Sequence, residues 1–192
     1  MADVHDEALI LRCLQQDEVA FSELMHRYQN GLYRLAYHWA GNRDDAQDLC
    51  QECFIHLYKV LPKYDSRYRF SVWLYRVATN HCINWLKANQ RNRAVLSLNH
   101  LAMEGGEPPD PVPTLEQRMI RSEERQTVMA AVGSLPDRYR MPVLLRYLED
   151  FSYKEIAAIL GITVKNVEIR LHRSKAMLAE RLQRVQQEGE PA

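Results

Sequence analysis

Ser152-Tyr153-Lys154-Glu155-Ile156-Ala157-Ala158-Ile159-Leu160-Gly161-Ile162-Thr163-Val164-Lys165-Asn166-Val167-Glu168-Ile169-Arg170-Leu171-His172-Arg173-Ser174 reads as two helices joined at a single glycine. Ser152 and Glu155 have the three-residue spacing of a capping box, which starts the first helix. Gly161 supplies the turn, where a positive φ angle is cheap only for glycine. Thr163 is placed to cap the second helix. The small Ala157 allows close crossing, and Val167 is expected to pack back on Ile156 and Ala157, with Val164 and Leu171 on the same buried side. The outer side carries Lys165, Asn166, Glu168, Ile169, Arg170, Arg173 and Lys175. A short helix, a glycine turn and a second helix form the helix-turn-helix that enters the major groove of DNA. Arg and Asn match base edges there, and Lys and Arg neutralise phosphate. An ordinary helical hairpin with a solvated basic face is the competing reading.

Upstream of this stretch, residues 94–117 stand apart. They hold Gly105-Gly106 and Pro108-Pro109-Asp110-Pro111-Val112-Pro113. Prolines at this density exclude helix interior and central strand and favour an extended linker. The linker predicts two domains, residues 1–93 and 118–192. In a chain of 192 residues with 46% apolar and 26% charged residues, each domain has enough apolar side chain for a modest core. No apolar run approaches the length of a membrane span, and the acidic start Met1-Ala2-Asp3 does not resemble a signal peptide. The expected location is cytoplasmic, without membrane insertion.

Both domains read as all-α. Ala8, Leu11, Leu14, then Val19, Phe21, Leu24, Tyr28, then Leu32, Leu35, Ala36 and Trp39 recur at helical spacing until Gly41-Asn42. Asp44 and Asp45 suit the start of the next helix, whose apolar face is Ala46, Leu49, Cys50, Cys53, Phe54 and Leu57. Pro62 ends it, and a long helix runs from about Ser71 to Asn89. In the second domain, 115–133 is expected to be helical, and Pro136 lies at the start of a helix containing Pro142, Val143, Leu144, Tyr147 and Leu148. Cys50 and Cys53 with His56 make an incomplete zinc set on one helix face, so the two cysteines are read as small core residues and no metal is expected.

Formal net charge is zero, but the charges are segregated. Residues 1–58 carry 4 basic and 10 acidic groups, residues 59–93 carry 8 and 1, residues 94–117 carry none and 4, and residues 118–192 carry 13 and 10. Such segregation points to several different partner surfaces. The basic segment interleaves Tyr64, Tyr68, Phe70, Trp73, Tyr75 and Trp85 with Lys63, Arg67, Arg69, Arg76, Lys87, Arg91 and Arg93. Aromatic faces among positive charges suit unstacked bases of a single strand, and Asn80 suits the edge of an extruded base. Part of this set, Trp73, Leu74 and Val77, sits at core spacing.

Three stretches in order resemble the two-domain extracytoplasmic-function sigma factors of bacteria. They are Asp44-Asp45-Ala46-Gln47-Asp48-Leu49-Cys50-Gln51-Glu52-Cys53-Phe54, then Phe70-Ser71-Val72-Trp73-Leu74-Tyr75-Arg76-Val77-Ala78-Thr79-Asn80, then Leu135-Pro136 through the helix-turn-helix. The resemblance runs from about residue 8 to 184. It implies a region 2 helical bundle and a region 4 helix-turn-helix joined by the acidic linker. It implies that Asp45, Asp48, Gln51 and Glu52 dock on core RNA polymerase. It implies that Tyr68, Phe70, Trp73, Tyr75, Arg76, Asn80, Asn84 and Lys87 read and open the −10 element of promoter DNA. It implies that Lys165, Asn166, Glu168, Arg170, Arg173 and Lys175 read the −35 element, and that an anti-sigma factor holds the protein inactive. Asn84 and Lys87 stand where Asp and Arg are more usual in the family, and Glu168 where Lys or Arg is common. Glu168 can accept from cytosine but repels phosphate.

A polymerase-independent helix-turn-helix regulator is the alternative; it leaves the acidic 44–52 helix and the Trp-Leu-Tyr-Arg segment without a role. An enzyme is not expected: the chain has no phosphate-binding glycine loop, no His-Glu-x-x-His and no nucleophile elbow. No catalytic residues and no cofactor are expected.

Overall fold

The computed structural model describes residues 3–93 and 127–188, and every regular element among them is helical. The 94–117 linker and the first residues of the 115–133 helix lie outside the described residues. The N-terminal elements are α1 (Asp3–Leu14), α2 (Glu18–Ala40), α3 (Arg43–Val60), a 3₁₀ turn (Leu61–Lys63) and α4 (Phe70–Arg93). Next come the helical residues 127–133 (α5), α6 (Asp137–Tyr147), α7 (Tyr153–Leu160) and α8 (Val164–Glu188). The chain forms two compact units, and the first contains α1 to α4 together with Phe151–Val164.

Local chemistry sets the helix ends. Asp17 caps α2 by accepting from the Ala20 amide at 3.0 Å. Gly41 ends α2 at φ 80°, and its amide donates to the Tyr37 carbonyl. Asn42 then caps α3: its side-chain oxygen accepts from the Asp45 amide at 2.9 Å, while its amide group donates to the Asp45 carboxylate at 2.8 Å. Pro62 lies in the 3₁₀ turn that closes α3. In the second unit, Pro136 occupies the N-cap of α6 and Pro142 lies inside that helix.

The first core lies where α2 packs on α1, α3 and α4. Leu24, Leu32, Leu35, Ala36 and Trp39 of α2 meet Ala46, Leu49, Cys53 and Leu57 of α3 and Leu74, Ala78 and Cys82 of α4, all buried. The α3 face matches its expectation, although Phe54 is only half-buried. Cys50 and Cys53 are both buried free thiols, and Cys53 Sγ lies 3.9 Å from Cys82 Sγ. Among the described residues no cluster of His, Cys, Asp and Glu is arranged to hold a metal ion.

The stripe at the start of the chain needs correction. Ala8, Leu11 and Leu14 face solvent, as does Val19 at 71% exposure. The buried face of α1 is Asp6, Leu9, Ile10 and Cys13. A charged residue inside this face hides the pattern. Asp6 is buried because it is paired with Arg27 and Tyr28 of α2, which offsets the cost of removing its charge from water.

Candidate nucleic-acid interface

The element that carries the basic aromatic residues begins in the loop before α4. Asp65 accepts from the Arg67 amide at 3.0 Å and from its guanidinium, which holds the Asp65 carboxyl below the usual range. The Tyr64 hydroxyl donates to the Tyr68 carbonyl at 2.6 Å. These short links shape the loop and leave the Tyr68 ring 60% exposed. Tyr64, Phe70 and Trp73 then form an aromatic cluster, with ring centroids 5.3 to 5.7 Å apart and Tyr28 on the far side of Phe70.

The eight residues expected to face the −10 element divide by burial. Arg76, Asn80, Asn84 and Lys87 are exposed and recur at helical spacing down one side of α4, with half-exposed Trp73 at its head and Tyr68 in the preceding loop. Phe70 and Tyr75 are buried, so in this structure neither ring offers an open face to a base. Phe70 sits inside the aromatic cluster. Tyr75 lies edge-on against Phe151, with ring centroids 5.0 Å apart. Alternation of aromatic and basic residues does not separate these two classes, because helical position decides which rings turn inward.

On α3, Asp48, Gln51 and Glu52 are exposed. Asp45 is half-buried and bonded to Asn42 at the helix start. Glu52 lies 3.3 Å from His81 of α4. His81 in turn stacks on His56, with ring centroids 5.2 Å apart. Burial, then the proximity of His81 and Lys59, pushes the His56 pKa down. This histidine pair was not singled out from the sequence; its partners are 25 residues apart in the chain, and only the Glu52–His56 helical spacing hints at it. Beside Gln51, the Phe21, Phe54, Ile55 and Tyr58 side chains line a groove of about 450 Å³ between α2 and α3.

The helix-turn-helix forms as its sequence predicts. Ser152 and Glu155 make both hydrogen bonds of the capping box. Gly161 ends α7 at φ 64°. A Cβ at this position would meet nothing within 4 Å, so backbone conformation alone calls for glycine. Val167 and Leu171 are buried as expected. Val164 is not: it is 43% exposed, because it opens α8 ahead of the packed stripe Val167, Leu171 and Ser174. The Ser174 hydroxyl ties α8 to α6. It lies 2.6 Å from the Arg170 carbonyl and 3.1 Å from the Tyr139 carbonyl.

Lys165, Asn166, Glu168, Arg173 and Lys175 are exposed on α8, and Arg170 is half-buried. Arg173 also hydrogen-bonds the Tyr139 side chain, and this positive partner holds the phenol pKa below its usual value. Arg138 lies over the same ring, 4.7 Å from its centroid. The outer side of α8 is therefore a polar and mainly basic face anchored on α6, suited to phosphates and base edges.

Comparison with known proteins accounts for both halves of the chain. Residues 24–92 match the Sigma-70 region 2 family, and residues 125–178 match Sigma-70 region 4. The sigma factor SigW of Bacillus subtilis is 31% identical over 86% of this chain and 90% of its own length. The sigma-E factor of Haemophilus influenzae is 33% identical over 93% of this chain and 95% of its own. In three dimensions the chain resembles CnrH, solved in complex with the cytosolic domain of CnrY. The TM-score is 0.67 at 22% identity, covering 93% of this chain and 97% of that one. It also resembles the sigma factor RpoE, solved in complex with the anti-sigma factor NepR from Bartonella quintana. Here the TM-score is 0.64 at 19% identity, covering 85% of this chain and 96% of that one. A polymerase-independent regulator would need only the second half of this pattern. The chain belongs to the extracytoplasmic-function family of RNA polymerase sigma factors, alternative sigma factors that direct the polymerase to promoters.

Proposed function

We propose that the exposed side of α3 docks on core RNA polymerase, the exposed side of α4 reads and opens the −10 element, and the outer side of α8 reads the −35 element. The observation that carries this reading is the single stripe of Arg76, Asn80, Asn84 and Lys87 on α4. Its cations follow a phosphate backbone, and its amides reach the edges of bases that have left the stack. Capture of a transiently unpaired base offsets an unstacking cost of a few kcal/mol, so opening needs no nucleotide hydrolysis. Asp48, Gln51 and Glu52 give α3 an acidic, polar face suited to a basic partner.

The protein acts as a binding subunit with no catalytic residues of its own. Its work beside the polymerase places it in the cytoplasm in this reading, which its sigma-factor relatives support. An anti-sigma factor is its inhibitory partner in this reading, which the complex of its structural neighbour RpoE with the anti-sigma factor NepR supports. The linker at 94–117 divides residues 1–93, which dock and open, from residues 118–192, which read the upstream element.

Asn80→Ala tests the α4 assignment. Asn80 is exposed, so folding is spared. Permanganate footprinting of promoter opening is expected to fall by about tenfold, for one lost base contact of about 1–3 kcal/mol, while closed-complex formation is retained. Equal loss in both steps would remove Asn80 from base capture.

A further inference from the structure

The outer side of α8 is tied to one residue of another helix. Tyr139, in the first turn of α6, is 7% exposed, and three contacts fix it. Its carbonyl accepts from the Ser174 hydroxyl of α8 at 3.1 Å. The Arg138 guanidinium lies over its ring, 4.7 Å from the centroid. Its phenol oxygen accepts a hydrogen bond from the Arg173 side chain of α8. The bonds to α8 therefore run to consecutive residues. Ser174 is buried and anchors the helix, while Arg173 is exposed on the outer side. Asp137, the acid beside Tyr139 in the chain, pairs with Arg140.

A long arginine side chain free in solvent samples many rotamers, and ordering it on binding costs free energy. A phenol oxygen held by a buried ring removes part of that cost in advance. It occupies one of the five N–H donors of the guanidinium and leaves the others for a bidentate contact with a base edge. A neutral phenol also leaves the positive charge of Arg173 uncancelled, which a carboxylate in its place would not. Arg138 covers the ring face, so the acceptor keeps its direction. We infer that Tyr139 is a positioning residue for promoter reading: through its phenol oxygen it sets the direction in which Arg173 meets a base edge of the −35 element. This rests on the −35 assignment of α8 under the proposed function, and adds to it a residue outside that helix.

The test uses the full chain loaded on core polymerase, which selects from duplexes randomised over the upstream element. Arg173→Ala is expected to erase the preference at one base pair. Tyr139→Phe keeps the ring beside Arg138 and removes only the hydroxyl. It is expected to weaken the preference at that same base pair by about fivefold, part of what one bidentate contact supplies, and to leave the other positions unchanged. The Tyr139→Phe, Arg173→Ala double variant is expected to match Arg173→Ala alone, since nothing is left to position. A second readout needs no DNA. In the free chain with ring-labelled tyrosine, the Tyr139 resonance, identified by its loss in Tyr139→Phe, is expected to titrate at higher pH in Arg173→Ala than in wild type, because Arg173 favours the phenolate.

An unmoved titration removes the contact and overturns the proposal. A moved titration with every preference intact in Tyr139→Phe keeps the contact and overturns the positioning. Weakened preference at all positions, with a lowered thermal midpoint, makes Tyr139 a packing residue and overturns it as well. Failure of the −35 assignment itself shows differently: Arg173→Ala then changes no preference although the titration moves, and the positioning falls with it.

Discussion

The Asp6 carboxylate on α1 receives the Tyr28 hydroxyl of α2 at 2.5 Å, while its other oxygen takes the Arg27 guanidinium at 3.0 Å. Asp6 is 1% exposed. One acidic side chain thus holds α1 onto the bundle, ahead of residue 24, where the region 2 match begins. Asp6→Ala removes the carboxylate shared by Tyr28 and Arg27 and is expected to cost about 1–3 kcal/mol. The urea midpoint measures this, and α1 amides are expected to exchange faster. An unchanged midpoint would show that the pair contributes nothing net.

Glu52 tests the polymerase-facing side of α3. Its side chain is 53% exposed and lies 3.3 Å from His81. Glu52→Lys reverses the charge on this face without touching the core, so the thermal midpoint is expected to hold. Affinity for core polymerase is expected to fall by about tenfold or more, consistent with complementary charge at an interface. Fluorescence anisotropy with labelled sigma factor reads it. Unchanged affinity would take Glu52 out of the docking surface.

The cysteines give a prediction in pH. Burial, followed by the nearby Cys53, pushes the Cys50 thiol up to about 12 from 9.0. An unfolded thiol loses its proton near 9.0 while the folded one keeps it. The unfolded state therefore binds fewer protons above that pH. Stability from this group is full below pH 9.0 and declines as pH rises toward about 12. Chemical unfolding at pH 8 and pH 10.5 of wild type and Cys50→Ala is the measurement, the variant cancelling other titrating groups. The wild type is expected to lose more stability between the two pH values; equal losses would contradict the assigned cause.

Legibility of this chain follows from how local each feature is. The capping box of Ser152 and Glu155, the glycine at 161 and the inward face of α3 depend on residues within a turn of each other, and all were legible. What escaped was non-local. Asp6 is buried by Arg27 and Tyr28, 21 and 22 positions away, so the spacing of Ala8, Leu11 and Leu14 points to the wrong side of α1. Phe70 and Tyr75 are turned inward by contacts with Tyr28 and Phe151 that no spacing rule contains. The Arg69–Glu155 pair spans 86 positions and was not foreseen. Val164 has core spacing but sits at a helix start, where the packed stripe has not yet begun.

Run-off transcription tests the central claim most directly: purified core polymerase on a fragmented genomic library, with and without this protein. The account predicts new transcripts that appear only with the protein and share two upstream elements, one read by α4 and one by α8. Absence of any new transcript, together with tight and specific promoter binding by the protein alone, would contradict it.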